Sequence, residues 1–114
     1  MTLHSSPWGQ VQHTKEIAPG LVWVVTASHG GFYVSPARLA EMPEKYRKVV
    51  TFVENSGEGK GWYEEDCDWC IPVLAWPNLF PDKDVVAAHA TAFCWHKEWY
   101  KAEIGEKPQE TVSL

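Results

Sequence analysis

The order of hydrophobic and polar residues in the first third of the chain is typical of consecutive β-strands. Residues 10–17 alternate, with Val11 and Ile17 on one side and polar residues on the other. This alternation predicts a half-exposed strand at the edge of a sheet. Residues 21–27 form a continuous β-branched and aromatic run, which predicts a buried central strand, and residues 32–34 predict a third strand.

A turn separates the second and third predicted strands at residues 28–31, which read S-H-G-G. Glycine adopts positive φ without the steric penalty that a Cβ atom brings, so at least one of Gly30 and Gly31 is expected to have φ > 0. Because each strand is joined to the next by a short turn, the three strands are expected to form a meander.

The middle of the chain combines helical signals with one more strand-like run. Ser35 followed by Pro36 predicts the start of a short helix, because serine caps a helix and proline suits its first position. Residues 49–54, V-V-T-F-V-E, predict a fourth strand. Residues 55–61 hold three glycines and predict a flexible loop.

The last half of the chain predicts two helices. The first covers residues 62–76, with acids in its first turn where the helix dipole favours them, although Pro72 counts against a continuous helix. The second begins at Asp82 or Asp84 and ends near Ile104, where Gly105 provides the stop.

These elements predict the fold class α+β: an antiparallel β-meander of about four strands with two or three helices packed on one face. A chain of 114 residues is expected to form one domain, with an ordered core at 7–104 and tails at 1–6 and 106–114. The residues expected to be buried in the core are Val22, Val24, Leu39, Val50, Phe52, Leu74 and Phe93.

The composition adds an unusual number of tryptophans to an otherwise ordinary globular chain. Hydrophobic residues make up 45% and charged residues 22%, but there are seven tryptophans. Since tryptophan serves both cores and binding hot spots, at least one or two are expected at a surface that meets a partner. The chain shows no run of ~20 apolar residues and no signal peptide, which predicts a cytoplasmic protein without membrane contact.

Negative charge is concentrated in one segment. Residues 54–68 hold six acids and one lysine, so this segment carries a net charge of −5, equal to that of the whole chain. No basic stripe is present, which argues against direct nucleic-acid binding. An acidic patch favours a partner with a basic surface, and a solvated acidic loop is the alternative interpretation.

The same segment contains the candidate binding residues, because it places acids directly beside aromatic side chains. Four acids within five positions are too crowded to be buried together at neutral pH, so they are expected at the surface. The predicted partner-binding residues are Trp62, Tyr63, Glu64, Glu65, Asp66, Asp68 and Trp69. The secondary candidates are His29 in the glycine turn and His89 and His96 on the last helix, where both can pair with carboxylates.

Two kinds of catalytic or metal chemistry were compatible with the residue types. Cys67, Cys70, Cys94 and His96 are the right ligands for zinc. However, positions 94 and 96 point about 200° apart on a helix, so neither a metal nor any other cofactor is predicted.

A hydrolase is the other chemical hypothesis. His29, Cys67 and a nearby carboxylate would supply base, nucleophile and orienting group, if the fold brought them together. The neighbouring acids oppose formation of the Cys67 thiolate, and a tight turn explains S-H-G-G without any chemistry.

Three stretches of the sequence form a distinctive combination. They are P-W-G at 7–9, T-A-S-H-G-G at 26–31 followed by Ser35 and Pro43, and G-W-Y-E-E-D-C-D-W at 61–69 followed by Pro77, Leu79 and Phe80. Together they resemble a family of small uncharacterised domains encoded by phages, plasmids and other mobile elements of proteobacteria. The resemblance covers residues 7–80 and implies no particular activity. It implies a setting, since accessory genes of mobile elements often act on host defence.

The sequence therefore yields two functional hypotheses. The first is a small protein in the cytoplasm of a bacterial host that binds and inhibits a host protein with a basic, nucleic-acid-binding surface, in concrete form an anti-CRISPR or other anti-defence inhibitor. The alternative is a small hydrolase or metal-dependent enzyme that uses His29, Cys67 and nearby carboxylates.

Overall fold

The computed structural model of the protein describes residues 3–57 and 59–111. Its strands are β1 (Ser5–Ser6), β2 (Gly9–Gln10), β3 (His13–Ala18), β4 (Leu21–Val25), β5 (Gly30–Val34) and β6 (Trp62–Glu64). Its helices are α1 (Pro36–Glu41), α2 (Glu44–Arg47), α3 (Phe52–Asn55), α4 (Cys70–Ala75), α5 (Asp82–Trp95) and α6 (Lys97–Glu103), with a 3-10 turn at Pro77–Leu79. The predicted α+β class is confirmed.

The main sheet has four antiparallel strands in the order β3-β4-β5-β6. Each strand pairs with the next along the chain, as a meander requires. β3 is the edge strand that the alternating pattern predicted. β6 is the other edge, and Tyr63 pairs there with Phe32.

The two faces of the sheet are covered differently. Side chains of one face, including Phe32 and Tyr63, join the helices in a single hydrophobic core. On the other face, the small sheet of β1 and β2 carries Trp8, whose ring meets the edge of Trp62 at a centroid distance of 5.6 Å. Trp62 in turn packs against Tyr33 at 4.7 Å. The amino-terminal segment is therefore part of the fold.

The structure describes parts of both predicted tails. Residues 5 and 6 form β1. At the other end, the Gln109 backbone N–H donates to the Tyr100 hydroxyl at 3.2 Å. Residues 1, 2 and 112–114 of the predicted tails lie outside the described residues, as does Glu58 of the predicted loop.

The fourth strand that was predicted at 49–54 is wrong. Thr51 instead caps α3, and its hydroxyl accepts the Glu54 backbone N–H at 3.2 Å. Within this helix Val53 is buried and Phe52 turns outward, and Val50, which precedes the Thr51 cap, is also exposed, so two of the expected core residues are exposed. A short apolar run fits both periods, and here the threonine cap decides for the helix.

The helix predicted at 62–76 is also wrong in its first half. Residues 62–64 are β6, which pairs with β5 in place of the missing fourth strand. Gly61 has φ of 91° and precedes the strand. The helix that does form here is α4. Pro72 is compatible with it because this residue lies in the first turn, where its missing N–H breaks no intrahelical hydrogen bond.

The predicted last helix is interrupted at His96. Its φ of −132° and ψ of 46° end α5, and α6 begins at the next residue. The sequence around this point contains no proline or glycine. The break in the helix coincides instead with a tertiary contact, because the His96 imidazole is hydrogen-bonded to Asp68, a residue far away in the chain.

Gly30 and Gly31 do not have positive φ, contrary to the prediction. Both lie in β5, opposite Val25 and Val24. Glycine is needed at both positions because neighbouring backbone and the Trp8 ring leave no space for a Cβ atom. Within residues 3–57 and 59–111, none of the helices has the length and apolar character needed to cross a membrane.

Candidate functional site

A cleft of about 450 Å³ opens where five separate segments of the chain meet. We call it the acidic-aromatic cleft, and its lining residues are Pro7, Trp8, His29, Phe52, Val53, Glu64, Asp66, Cys67 and Trp95. They come from the β1–β2 loop, the β4–β5 turn, α3, the region at and after β6, and the end of α5. The fold thus builds this cleft from residues up to 88 positions apart, counted from Pro7 to Trp95.

Large aromatic side chains line the cleft and remain exposed. Phe52 is 67% exposed and Trp95 is 61% exposed. Trp8 adds a third ring, half-buried against Trp62. Exposed apolar surface gathered at one place is typical of an interaction site, whereas single scattered apolar residues are not.

The polar side of the cleft is acidic. One Glu64 oxygen, Oε1, accepts the Asp66 backbone N–H at 2.7 Å, and the other, Oε2, accepts the Cys67 thiol at 3.3 Å. These two bonds fix the Glu64 carboxylate, while the Asp66 side chain remains exposed. Among the described residues that line the cleft, none is a lysine or an arginine. The cleft is therefore suited to positively charged groups.

His29 reaches the cleft from a turn that is held by Thr26. The Thr26 hydroxyl accepts the His29 backbone N–H at 3.1 Å and donates to the His29 carbonyl at 2.7 Å. The His29 Nδ1 atom lies 3.8 Å from Oε1 of Glu65. His29, Glu64 and Asp66 each offer one ligand atom, and these atoms lie within 4.8 Å of one another.

Cys67 lies in the same cleft, yet its surroundings disfavour the thiolate. Burial, the charge of Asp68 and the hydrogen bond to Glu64 raise the pKa of the Cys67 thiol to about 12. The thiol is therefore protonated at neutral pH and is a poor nucleophile. The structure brings together the residues of the hydrolase hypothesis without activating the cysteine.

Two of the seven predicted binding residues are buried and are not available to a partner. Asp68 is only 1% exposed, and it accepts the Phe52 backbone N–H at 2.6 Å and pairs with His96 at 2.9 Å. Tyr63 points into the core, where burial and then the charges of Glu54 and Asp68 raise the pKa of its hydroxyl. Tyr63 is buried because successive side chains of a strand point to opposite faces, so Tyr63 points inward while its neighbours point outward.

The remaining predicted residues lie in and around the cleft. Glu64 and Asp66 line it, and Glu65 adjoins it through His29. Trp62 supports the cleft from behind by packing on Trp8. Trp69 lies apart, half-buried against the hydrophobic core.

The remaining candidate histidines and cysteines do not line the cleft. His89 contacts the Tyr100 hydroxyl at 2.7 Å, and His96 contacts Asp68. The Cys70 thiol donates to the Cys67 carbonyl at 3.2 Å, while Cys94 is exposed. Among the described residues, the four candidate zinc ligands do not form a group that could hold one metal ion.

The neutral state of His89 makes stability depend on pH. Burial lowers the pKa of His89 from its ordinary value of 6.5. We expect the free energy of unfolding to fall as the pH drops below that value towards the lowered folded pKa, because only the unfolded chain takes up the proton there. Urea unfolding from about pH 7.5 to about pH 5 measures this, and His89→Asn should flatten the slope while the exposed His13→Ala should not. Equal slopes in all three proteins would contradict the expectation.

Residues 2–114 match the DUF7007 family, described as a domain of unknown function. The chain belongs to this family. No curated protein and no solved structure matches the chain. The family match confirms the resemblance to a family of small uncharacterised domains, and the origin on phages and mobile elements stays a prediction.

Sequence reasoning missed the two exposed aromatic residues of this DUF7007 chain. Phe52 was assigned to a buried strand, because an apolar residue in a β-branched run is normally a core residue. Trp95 offered no clear signal, because the buried side of α5, formed by Val85, Ala88, His89 and Ala92, differs from the apolar stripe of Val86, Ala90 and Phe93 that the sequence indicates.

Proposed function

We propose that this protein is a non-enzymatic binding protein whose acidic-aromatic cleft receives a basic segment of a partner protein. The observation that carries the proposal is the composition of the cleft: Phe52 and Trp95 are both mostly exposed there, beside the carboxylates of Glu64 and Asp66. Exposed aromatic residues next to acids, with no lysine or arginine among the described lining residues, match a cationic and partly apolar ligand.

Each part of an arginine side chain matches a group in the cleft. Its guanidinium group forms charge-assisted hydrogen bonds with carboxylates, which Glu64 and Asp66 supply. Its flat face stacks on aromatic rings, and its aliphatic stem packs on apolar surface, which Phe52 and Trp95 supply. The negative charge of the 54–68 segment adds long-range attraction that accelerates encounter with a basic surface.

The partner we propose is a host protein with a basic surface that normally holds nucleic acid. The resemblance of residues 7–80 to domains of phages and mobile elements supports this setting, in the cytoplasm of a bacterial host. Such surfaces are rich in arginine and lysine, and a protein that occupies them blocks the nucleic acid. In concrete form, the protein would be an anti-CRISPR or other anti-defence inhibitor.

The second candidate function is a small hydrolase or metal-dependent enzyme. The observation that favours it is the presence of His29, Cys67 and Glu64 in one cleft. The raised pKa of the Cys67 thiol opposes a cysteine nucleophile. His29→Ala and Cys67→Ala separate the two functions, because an enzyme that uses these side chains should lose its activity with either change, whereas Cys67→Ala should leave partner binding intact.

Capture from a bacterial lysate, with matched variants, tests the binding function. The immobilised protein should retain a basic host protein, identified by mass spectrometry and confirmed by a purified binding assay. Asp66→Lys and Phe52→Ser should each weaken that binding by about ten-fold or more, since both remove a central contact. Their melting temperatures should change little, because both side chains are exposed.

The matched controls are Glu41→Lys and Leu79→Ser. Both residues are exposed and lie outside the acidic-aromatic cleft, so they reproduce the change of charge and the loss of apolar surface elsewhere. Controls that bind as well as the wild type support the proposal. Cleft variants that bind as well as the controls would show that the working surface lies elsewhere.

A further inference from the structure

We infer that His29, Glu64 and Asp66 form a binding site for one divalent transition-metal ion in the acidic-aromatic cleft. Each residue offers one ligand atom, and the three atoms lie within 4.8 Å of one another. One imidazole with two carboxylates is a donor set that suits Zn²⁺, Mn²⁺ and Fe²⁺. This set differs from the thiols weighed in the sequence, and the inference goes beyond the proposed function.

The spacing of the three ligand atoms is close to what one ion requires. Ligand atoms ~2.1 Å from a metal lie ~3 Å apart when adjacent and ~4.2 Å apart when opposite in an octahedral site, and ~3.4 Å apart in a tetrahedral site. The three ligand atoms lie within 4.8 Å of one another, so the widest pair must approach by roughly 1 Å to hold one ion. Small rotations of the exposed His29 and Asp66 side chains close that difference.

The surroundings of His29 resemble the support that metal-bound histidines receive. Its Nδ1 atom lies 3.8 Å from Oε1 of Glu65, beyond hydrogen-bond distance, and a small rotation of the exposed ring would bring the two into contact and leave Nε2 for the metal. A carboxylate behind a coordinating imidazole fixes the ring and raises its basicity. The Glu64 carboxylate is likewise held in place, by the Asp66 backbone N–H and the Cys67 thiol.

The ion pairs of this region supply an independent observation. Three neighbouring acids have a cationic or imidazole partner: Glu54 with Lys60, Glu65 with His29, and Asp68 with His96. Within residues 3–57 and 59–111, no ion pair involves Glu64 or Asp66, the two carboxylates inside the cleft. An ion that enters the cleft would therefore break no ion pair of these two carboxylates.

Calorimetric titration of the isolated protein tests the metal site without reference to a partner. The protein should carry no histidine tag, be treated with a chelator, and contain Cys94→Ser so that the exposed thiol does not bind metal. We expect one Zn²⁺ or Mn²⁺ per chain, with Mg²⁺ much weaker because imidazole is a poor ligand for it. Quenching of tryptophan fluorescence by Co²⁺ gives a second readout, since Trp8 and Trp95 line the cleft.

Variants of the proposed ligand residues test where the ion binds. His29→Ala and Asp66→Asn should each raise the Kd by about ten-fold or more. The exposed His13→Ala and Asp82→Asn are the controls and should leave the Kd unchanged. Absence of binding at about 1 mM metal, or binding that the cleft variants do not alter, would overturn the inference. The titration contains no partner and the capture experiment is run with a chelator, so each proposal is tested without the other, although both use Glu64 and Asp66.

Discussion

Replacing Asp68 with alanine is expected to lower the free energy of unfolding by about 3–5 kcal/mol. Its carboxylate is buried and holds three parts of the chain together. Asp68 lies between β6 and α4. Its carboxylate accepts the Phe52 backbone N–H at the start of α3 and is hydrogen-bonded to His96, where α5 ends and α6 begins. Removal leaves a backbone donor and an imidazole without their partner in a site that water barely reaches.

Asp66 provides the matched control for this change. It is the same residue type two positions earlier, but it is exposed, so Asp66→Ala should alter the free energy of unfolding by no more than about 0.5 kcal/mol. Urea unfolding followed by circular dichroism compares the two variants. Equal losses would mean that the Asp68 contacts do not stabilise the fold, and the assignment of Asp68 to structure instead of binding would be wrong.

The second large effect is expected for Gly31→Ala, at about 3 kcal/mol, the upper end for an overpacked site. A Cβ atom at this position would lie 2.3 Å from the Tyr63 carbonyl oxygen and 2.6 Å from the Trp8 ring. The carbonyl belongs to β6, which is paired with β5, so it cannot move without loss of the strand pairing. The alternative movement is displacement of Trp8 from the cleft.

Gly105→Ala is the matched control for Gly31→Ala. A Cβ atom there would find its nearest neighbour, the Lys107 carbonyl oxygen, at 3.9 Å, which is ordinary contact. Thermal unfolding of the two variants should therefore differ by many degrees. If Gly31→Ala and Gly105→Ala have the same melting temperature, β6 and Trp8 do not approach Gly31 as closely as described.

The parts of the fold that sequence predicted correctly are those with local and unambiguous signals. The apolar run at 21–27 and the shorter one at 32–34 became β4 and β5. Ser35 and Pro36 began α1 as expected, and the Ser35 hydroxyl accepts the Arg38 backbone N–H at 3.2 Å. In each case the neighbouring residues alone determine the conformation.

The failures come from segments whose conformation depends on distant residues. Residues 62–64 read as a helix start, but pairing with β5, some thirty residues away in the chain, makes them a strand. His96 ends α5 although no proline or glycine adjoins it, and the break coincides with its bond to Asp68. Local propensity is a weak prior, and tertiary contacts override it.

The candidate site shows the same division. Glu64, Asp66 and His29 were identified from the sequence, because clustered acids and a histidine in a glycine turn are visible without a structure. Phe52 and Trp95 were not, since the exposure of an apolar residue follows from how the elements pack. Sequence thus indicated the charge of the cleft but not its apolar walls.

The most direct test of the acidic-aromatic cleft as the binding surface is an NMR titration of the ¹⁵N-labelled protein with its captured partner. The seven tryptophans provide seven indole N–H signals, distributed over the protein. We expect the indole signals of Trp8 and Trp95 to shift most, and the shifts to weaken as salt screens the carboxylates. Largest shifts at Trp23, Trp76 or Trp99, which lie outside the cleft, would contradict this binding surface.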